Sequence, residues 1–500
     1  MENFLSHAIP ALAAVFSGKF LLLMLFGVIY GIVLGILPGF GAAQALALAF
    51  PFTYGMSTTG AVLFFIAIYS AAEYGGSIPA ILIRTPGTPS AAVTVLDGYA
   101  MARKGFPNRA LQISLGCGVV GGIISTIIFI LAGAALSWIG LLFGPSQMFA
   151  VGVFGLSIIG GFLGKSAAKG FLATGIGLLL ATVGSSGFGG MRFTFNQAWL
   201  LDGIPLIVLI IGLLAVPEAL RLMIDDRNLV RERIDTAGNT ATAKTDRMTY
   251  GDWRRLVPSM LRGSLIGTLV GVQPGAGGAV ASILAYNEEK RFSKNPELFG
   301  TGIDEGIAAP ETANNAVVAG ALVPTLTFGI PGSGSAAILL GIMTTKGVVP
   351  GPSLFSQHAS FVMAIFFGLI VCNLIMLAVG LAGAKLWGQV TKIPPHVLGP
   401  FIMLLIVVGA YSYQTQAADV IMTLILGVIA YYFEKVAIPV IPIVLAFIMG
   451  SIIEQNLNRA LTIHAGDVTA VLSQPITVVI LLLSAVTAIL AFRRSRSYGK

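Results

Sequence analysis

The residues best suited to bind a ligand lie in two Pro-Gly segments that each occur twice in this chain. The first, Gly35-Ile-Leu-Pro-Gly-Phe-Gly41, returns 236 positions later as Gly271-Val-Gln-Pro-Gly-Ala-Gly277. The second, Pro86-Gly-Thr-Pro-Ser-Ala-Ala92, returns 245 positions later as Pro331-Gly-Ser-Gly-Ser-Ala-Ala337. Proline lacks an N–H and glycine admits positive φ, so each segment interrupts a helix and leaves backbone groups unpaired. Unpaired N–H groups at a helix N-terminus attract anions, and unpaired carbonyls bind cations.

These segments, with the hydroxyls and the basic residue beside them, form the predicted substrate site. A single Pro-Gly segment is more often a kink that binds nothing, but two related pairs favour a binding site. Arg84 has three interpretations: a counter-charge for an anionic substrate, an ion pair with Glu73, or a side chain that reaches an interface. The candidate residues are Gly39, Gly41, Arg84, Thr85, Pro86, Gly87, Thr88, Ser90, Gly275, Gly277, Gly332, Ser333, Gly334 and Ser335.

Polar residues near these segments predict a site for a coupling ion. Asn and Thr around position 314 either cap the helix that follows or hold a substrate carboxylate or a sodium ion. Sites built only from oxygen suit Na⁺, and a proton carried by an acidic residue is the alternative. No other cofactor and no transition-metal site is expected, because Cys117 and Cys372 lie in apolar stretches. The candidate residues are Glu73, Glu311, Asn314, Asn315 and Ser335.

The composition predicts that these segments lie in a lipid bilayer. Of 500 residues, 56% are hydrophobic and 10% are charged, whereas a soluble domain carries about 25% charged residues. Several charge-free runs, such as 110–143 and 474–492, meet or approach the roughly 20 residues that cross a membrane. The net charge of +8 comes from short loops and the C-terminus, as orientation signals do, so no nucleic-acid partner is implied.

The repeats and the apolar runs together predict an all-α polytopic membrane protein of two inverted-topology repeats. It would have broken helices, re-entrant hairpins and about 12–14 membrane segments. Residues 1–224 form the first repeat, 225–257 a cytoplasmic polar linker, and 258–500 the second repeat with an extra C-terminal helix. The predicted crossings are 15–37, 58–75, 78–97, 110–135, 147–163, 166–184, 203–223, 258–286, 312–329, 334–346, 359–386, 397–411, 417–433, 436–453 and 474–492.

Basic residues predict how the chain is oriented. Arg103, Lys104 and Arg109 mark a cytoplasmic loop, whereas the equivalent loop of the second half keeps only Lys346 and is predicted to be external. Equivalent loops then face opposite sides, with the N-terminus outside and the C-terminus in the cytoplasm. The charged segment 287–311 fits either side.

Two short motifs in the chain are also found in hydrolases and in nucleotide-binding proteins. Gly184-Ser-Ser-Gly187 fits the short string of an intramembrane serine hydrolase with Ser186 as nucleophile. A serine nucleophile needs a base, and the four histidines sit in predicted loops or at helix ends, so this is the alternative rather than the main hypothesis. Gly332-Ser-Gly-Ser335 lacks the lysine of a phosphate-binding loop, and no Walker motif is present, so ATP hydrolysis by this chain is not expected.

Several longer motifs resemble one family. The chain is similar to the large membrane subunit (TctA family) of tripartite tricarboxylate transporters from about residue 20 to 490. The resemblance rests on the Pro-Gly segments and on the motifs ALALAFPFTYGM at 45–56, YGGSIPAIL at 74–82, DGYAMARKG at 97–105, RFTF at 192–195 and LDGIP at 201–205.

This resemblance implies a secondary transporter of the bacterial inner membrane rather than an enzyme. Such proteins import carboxylates with an ion gradient. They work with a small membrane subunit (TctB-like) and a periplasmic substrate-binding protein (TctC-like). The Pro-Gly residues carry over from the family pattern. Arg84 departs from it, since a neutral polar residue is common there, so the family pattern implies no general role for Arg84 and leaves a substrate-specific one open.

Overall fold

The described part of the chain is almost entirely helical. The structure is a computed structural model and describes residues 8–498, except for positions 38, 352 and 388 and the segments 141–142, 163–166, 186–188, 225–246, 384–385 and 390–394. Two short antiparallel strands, β1 (Gly184–Ser185) and β2 (Met191–Arg192), form one hairpin.

In the first half, the helices surround the two Pro-Gly segments. A π turn at Ile211–Ala215 joins α9 to α10, so that these two form one continuous helix. Other short turns lie at Phe50–Thr53, Pro89–Ala92, Val95–Tyr99 and Ala198–Leu200. The helices are α1 (Ala8–Val15), α2 (Gly18–Ile36), α3 (Ala42–Ala49), α4 (Thr58–Ile83), α5 (Ala100–Arg103), α6 (Pro107–Gly140), α7 (Pro145–Phe162), α8 (Ala167–Ala181), α9 (Leu206–Ile210) and α10 (Val216–Ile224).

In the second half, the same order of helix, break and helix returns. A short turn at Pro296–Leu298 lies between α12 and α13. The helices are α11 (Tyr250–Val272), α12 (Gly277–Phe292), α13 (Asp304–Phe328), α14 (Gly334–Thr345), α15 (Leu354–Gln357), α16 (Ala359–Ala382), α17 (Pro395–Gln414), α18 (Ala417–Lys435), α19 (Ile441–Ile463), α20 (Val468–Leu472) and α21 (Pro475–Tyr498).

The prediction of an all-α polytopic membrane protein is confirmed. Among the described residues, eight helical stretches are long and apolar enough to cross a bilayer, and five shorter apolar helices accompany them. The eight are Gly18–Ile36, Thr58–Ile83, Pro107–Ala132, Leu206–Ile224, Ala359–Ala382, Val397–Gln414, Ala417–Lys435 and Ile441–Ile463.

Several predicted boundaries were wrong; the crossing 312–329, for example, belongs to a helix that begins at Asp304. The predicted crossings 58–75 and 78–97 are not two helices, because α4 continues through Pro79 to Ile83. The proline is tolerated because α4 is buried nearly all round and the N–H of Gly87 donates to the carbonyl of Gly76 beside it. The predicted crossing 258–286 is divided at the break before Gly277. It also begins earlier, because Thr249 and Asp252 form a capping box that starts α11 at Tyr250.

The two halves contain the same pair of long helices, which pack side by side in the same direction through glycines. α2 packs on α4 in the first half, and α11 packs on α13 in the second. At the paired positions, a methyl group added to the glycine would meet a backbone carbonyl of the facing helix, so only glycine allows this close approach. The equivalent contacts, first half before second, are Gly27–Phe64 and Gly263–Ala309, Gly75–Ile32 and Gly320–Thr268, and Gly35–Ala72 and Gly271–Val317.

α4 and α13 run in opposite directions where the two halves meet. Ser77 of α4 donates to Glu311 of α13 at 2.7 Å, whereas Asn314 of α13 donates to the backbone carbonyl of Glu73 at 3.4 Å. A later residue of α4 therefore pairs with an earlier residue of α13.

Candidate functional site

In the first Pro-Gly segment of each half, the glycine after the proline takes the positive φ that the sequence predicts. Gly39 has φ +82° and Gly275 has φ +83°, in the left-handed region that glycine enters without strain. After these turns, α3 begins at Ala42 and α12 begins at Gly277. The N–H of Gly275 donates to the carbonyl of Gly332 at 3.0 Å, so the two segments of the second half lie side by side.

The second Pro-Gly segment of each half, 86–92 or 331–337, is called a tip below. Each tip lies against the long helix of the other half. The hydroxyl of Tyr69 on α4 lies 2.8 Å from Ser333 Oγ in the second-half segment. A methyl group added at Gly278 would lie 2.7 Å from Asn314 Oδ1 and 3.0 Å from Ser90 Cβ, which places Asn314 beside the first-half segment. Asn314 is the counterpart of Tyr69, 245 positions later. Each long helix thus presents a polar side chain to the Pro-Gly segment of the other half.

A short chain of hydroxyls links the first-half segment to a carboxylate. Ser90 Oγ donates to Glu73 Oε2 at 2.5 Å and lies 3.0 Å from the hydroxyl of Thr88. The structure therefore brings together four predicted site residues: Glu73, Thr88, Ser90 and Asn314. Two of them had been predicted to bind substrate and two to bind the coupling ion, so the predicted sites adjoin.

A second carboxylate, Glu311, is buried among hydroxyl donors. Its side chain is 2% exposed and accepts hydrogen bonds from Ser77 at 2.7 and 2.9 Å, from Ser114 at 2.7 Å and from Thr94. These donors come from α4, from α6 and from the segment before the Val95–Tyr99 turn. Within the described part of the chain, neither Glu311 nor Glu73 has a basic partner. A buried carboxylate without a counter-charge is costly.

The two asparagines that follow Glu311 on α13 have unused hydrogen-bonding groups. Asn314 is 1% exposed and Asn315 is 2% exposed. Among the described residues, Asn314 Oδ1 and both polar atoms of the Asn315 side chain have no partner. Leaving a buried polar group unpaired costs about 1–3 kcal/mol. The capping interpretation of these residues was wrong, because α13 begins at Asp304, well before them.

Arg84 lies apart from this cluster. It ends α4 in the left-handed conformation, with φ 58°, where the second half has Gly329 with φ 68°. Its side chain is exposed, with the guanidinium carbon 6.0 Å from the centre of the Tyr99 ring. The interpretation of Arg84 as an ion pair with Glu73 was wrong, because the Arg84 side chain is exposed beside Tyr99 while Glu73 accepts from Ser90.

The remaining predicted residues line the breaks themselves. Thr85 and Pro86 are half-buried, and the Thr85 hydroxyl donates to the carbonyl of Ile83 at 3.3 Å. Gly87 and Gly332 are packed against the backbone of Gly35 and Gly271. Ser333 caps α14 by accepting from the N–H of Ala336, and Gly334 and the buried Ser335 begin that helix. Gly41 precedes α3 in extended conformation.

Sequence reasoning missed several residues of the site. Ser77 follows Glu73 by one turn of α4, and this spacing was the one available signal. Thr94 and Ser114 reach Glu311 only through the fold. Glu218 of α10 was also missed: it is 4% exposed, and a methyl group at Gly39 would lie 2.7 Å from its Oε1. Ser186, on which the hydrolase alternative depends, lies outside the described residues.

Comparison with known proteins identifies relatives over most of the chain. The family described as "Tripartite tricarboxylate transporter TctA family" matches residues 21–445. An uncharacterized 52.8 kDa protein of the TAR-I ttuC′ 3′ region of Agrobacterium vitis is 33% identical over 468 residues, covering 93% of this chain and 91% of that protein. An uncharacterized protein of the TAR-II ttuC′ 3′ region of the same organism is 35% identical over 225 residues, covering 45% of this chain and 93% of that protein. No solved structure matches the chain.

The match to the family covers all four Pro-Gly segments, Glu73, Glu311 and nearly all of the two helix pairs described above. The chain is therefore a multi-pass membrane protein that belongs to the tripartite tricarboxylate transporter TctA family.

Proposed function

We propose that this protein is the large transmembrane subunit of a binding-protein-dependent secondary transporter that imports an organic carboxylate by cation symport. The observation that carries the proposal is the meeting of the two tips beside Glu73 and Glu311, a half-buried and a buried carboxylate that have no basic partner among the described residues. Family membership supports a bacterial inner-membrane location, a TctB-like small membrane subunit and a TctC-like periplasmic binding protein as partners.

The substrate would be held by the interrupted helices. The N-termini of α3 and α12 offer unpaired N–H groups to carboxylates. Thr88 and Ser90 on one tip and Ser333 and Ser335 on the other add hydroxyl donors. Because the two tips are equivalent, they suit an anion with carboxylates at both ends, such as a di- or tricarboxylate. Arg84, exposed at the end of α4 that the proposed orientation places in the cytoplasm, would then act on the path of substrate release rather than inside the site.

The coupling ion would occupy the carboxylate cluster. Bringing an anion between two uncompensated carboxylates is unfavourable unless a cation enters with it. Glu73, Asn314 Oδ1 and the hydroxyl of Ser90 supply oxygen ligands on one side, and Glu311 with Asn315 supplies them one turn away on α13. Hard oxygen ligands suit Na⁺, which is our first choice, and a proton on Glu73 or Glu311 is the second.

Uptake into vesicles tests this proposal. The protein, reconstituted with its small membrane subunit and binding protein, should take up radiolabelled carboxylate when an inward Na⁺ gradient is imposed, and it should need no ATP. Citrate, succinate and acetate, with three, two and one carboxylates, form the panel. Uptake that does not depend on Na⁺ but is driven by a pH gradient would indicate that protonation of Glu73 or Glu311 provides the coupling. Uptake that requires ATP would contradict the proposal.

Inverted topology of the two repeats is part of the proposal, and charged residues at the two ends of α4 support it. At one end, Lys346 donates to the carbonyls of Tyr54 and Met56, just before α4 begins. At the other end, Arg109 pairs with Asp304 at 2.6 Å. Hydrogen bonds from Arg109 and Thr249 hold the pKa of Asp252, in the same cluster, well below its usual range. Positive charge concentrated at the second end favours the cytoplasm there.

The side of the charged segment 287–311 follows from the same arrangement. The N–H groups of Gly300, Gly302 and Ile303 donate to the carboxylate of Asp97, at 2.7–3.0 Å. The segment is thereby fixed at the end of α4 that carries Arg103 and Arg109. In the proposed orientation residues 287–303 are cytoplasmic, whereas Glu311 lies within α13 at the ion site. One bundle moving against the other would open the site to each side in turn.

Cysteine labelling tests the topology with a matched pair of positions. Lys104 and Val349 are exposed, and they are equivalent, since they are separated by the same 245 residues as the repeats. A membrane-impermeant maleimide added to intact cells should modify Val349→Cys and spare Lys104→Cys. Background is expected to be low because Cys117 and Cys372 are buried. Equal labelling of the two positions would rule out inverted repeats.

A further inference from the structure

A polar cavity of about 450 Å³ lies outside the proposed substrate site and contains two motifs that the site does not use. One is the RFTF motif, which supplies Arg192, and the other is the LDGIP motif, which supplies Asp202. The facing wall is formed by α19, with Phe447, Ser451, Glu454 and Asn458.

The charged groups of the cavity are paired in a way that leaves a donor free. Arg192 Nη2 lies 2.9 Å from each carboxylate oxygen of Glu454. Arg192 Nε is buried and has no partner among the described residues, and the same holds for Asn458 Oδ1. A guanidinium binds a carboxylate most strongly through two parallel N–H···O bonds. Glu454 contacts only one nitrogen of the Arg192 guanidinium, so the guanidinium has not formed the two parallel N–H···O bonds that it can make with a carboxylate.

The cavity is joined to the second-half Pro-Gly segment through α14 and α19. Leu206 lines it and also packs on α14, since a methyl group at Gly341 would lie 2.9 Å from Leu206 Cδ2. Ile441, at the start of α19, lies against Gly334, 3.4 Å from a methyl group placed there. α19 therefore runs from the segment that carries Ser333 and Gly334 directly to the wall of the cavity.

The cavity lies at the C-terminal end of α8, whereas the basic residue of this helix is near its N-terminal end. Lys169, near the start of α8, bonds to the carbonyl of Val436, whereas Ala181, at the end of α8, lines the cavity. Ile452 of α19 lies 3.8 Å from a methyl group placed on Gly329, which follows α13 at the end opposite Asp304. In the proposed orientation that end of α13 is external, so the cavity opens to the outside.

We infer that this cavity is an external receiving site for the substrate, in which a carboxylate of the incoming anion replaces Glu454 on Arg192. The inference rests on the proposed function and adds to it a second carboxylate site. Glu454 holds the guanidinium in place while the cavity is empty of substrate, and the free Nε completes a two-bond fork when an external carboxylate binds. Asp202 adds negative charge to the same cavity. This charge weakens binding of the anion, so that the anion can leave for the substrate site.

Substrate protection of a cysteine placed in the cavity tests this inference. Ser451 is exposed and lines the cavity, and both native cysteines are buried. Ser451→Cys, in membranes from cells that produce the transporter, is treated with a membrane-impermeant maleimide in the presence of citrate, succinate or acetate. The anion that the unmodified transporter takes up should slow the labelling. Chloride at the same ionic strength is the control.

Two substitutions in the Ser451→Cys background separate a receiving site from a structural ion pair. Glu454→Gln removes the internal competitor, so half-maximal protection should need several-fold less carboxylate. Arg192→Gln removes the guanidinium, so protection should be lost. A purely structural pair would give the same change for both variants, and that result would overturn the inference.

The remaining outcomes are also decisive. Labelling that the transported anion does not slow would show that the cavity binds no substrate, while uptake by the parent protein would leave the proposed function intact. Absence of uptake for every anion of the panel would instead count against the proposed function. Protection by an organic cation and not by a carboxylate would show that Asp202 and Glu454 set the specificity, and would also overturn the inference.

Discussion

Glu311→Gln should abolish Na⁺-driven carboxylate uptake while leaving the protein folded. The amide keeps the size of the side chain and can still accept hydrogen bonds from Ser77 and Ser114, but it carries no charge to bind a cation. Coupling between two ligands is typically worth about 1–3 kcal/mol, or roughly 5- to 150-fold. We expect the upper end of this range, because Glu311 is fully buried and has no basic partner within the described part of the chain.

Thermal unfolding provides a readout for Glu311 that does not depend on transport. A ligand at 100 times its Kd stabilises the folded state by about 2.7 kcal/mol, so Na⁺ should raise the unfolding temperature of the unmodified protein and not that of Glu311→Gln. Glu288→Gln is the matched control, since Glu288 is an exposed carboxylate paired with Arg291. An unchanged response to Na⁺ in Glu311→Gln would exclude Glu311 from the ion site.

Gly275→Val should reduce uptake by more than tenfold although the protein reaches the membrane. Gly275 has φ +83°, and holding a residue with a side chain in such a region costs about 1–3 kcal/mol. A β-branched residue will escape the strain by changing the backbone, which breaks the bond from the Gly275 N–H to the carbonyl of Gly332. That bond aligns the two segments whose backbone is proposed to bind the substrate.

Gly466→Val is the control for strain alone. Gly466 has nearly the same backbone angle, φ +85°, and a methyl group there meets no other atom within 4 Å. Its replacement should lower stability slightly and leave uptake unchanged. Equal uptake by Gly275→Val and by the unmodified protein, measured at matched amounts in the membrane, would show that this break does not shape the site.

The sequence predicted those features of the site that depend on local backbone chemistry. The Pro-Gly segments interrupt helices as expected, because proline and glycine restrict or release the backbone wherever they occur. Gly39 and Gly275 take the same positive φ, and this agreement follows from the repeat. Conversely, Arg84 takes the left-handed conformation of its counterpart Gly329, which residue type alone would not have indicated.

Features that depend on tertiary packing were not predictable in this way. The hydroxyls of Thr94 and Ser114 reach Glu311 from elements that are remote in sequence. The helix across Pro79 persists because the surrounding protein buries it and satisfies its backbone, whereas local propensity predicts a break there. The carboxylate of Glu218 beside Gly39 is a further residue that only the fold brings to the first break.

The most direct test of cation-coupled carboxylate import is to count both solutes as they enter the same vesicles. The reconstituted transporter, given an inward carboxylate gradient and radioactive sodium at equal concentration on the two sides, should accumulate sodium inside above its external concentration. Glu311→Gln should not. Carboxylate entry that carries no sodium with it in the unmodified protein would contradict Na⁺ symport.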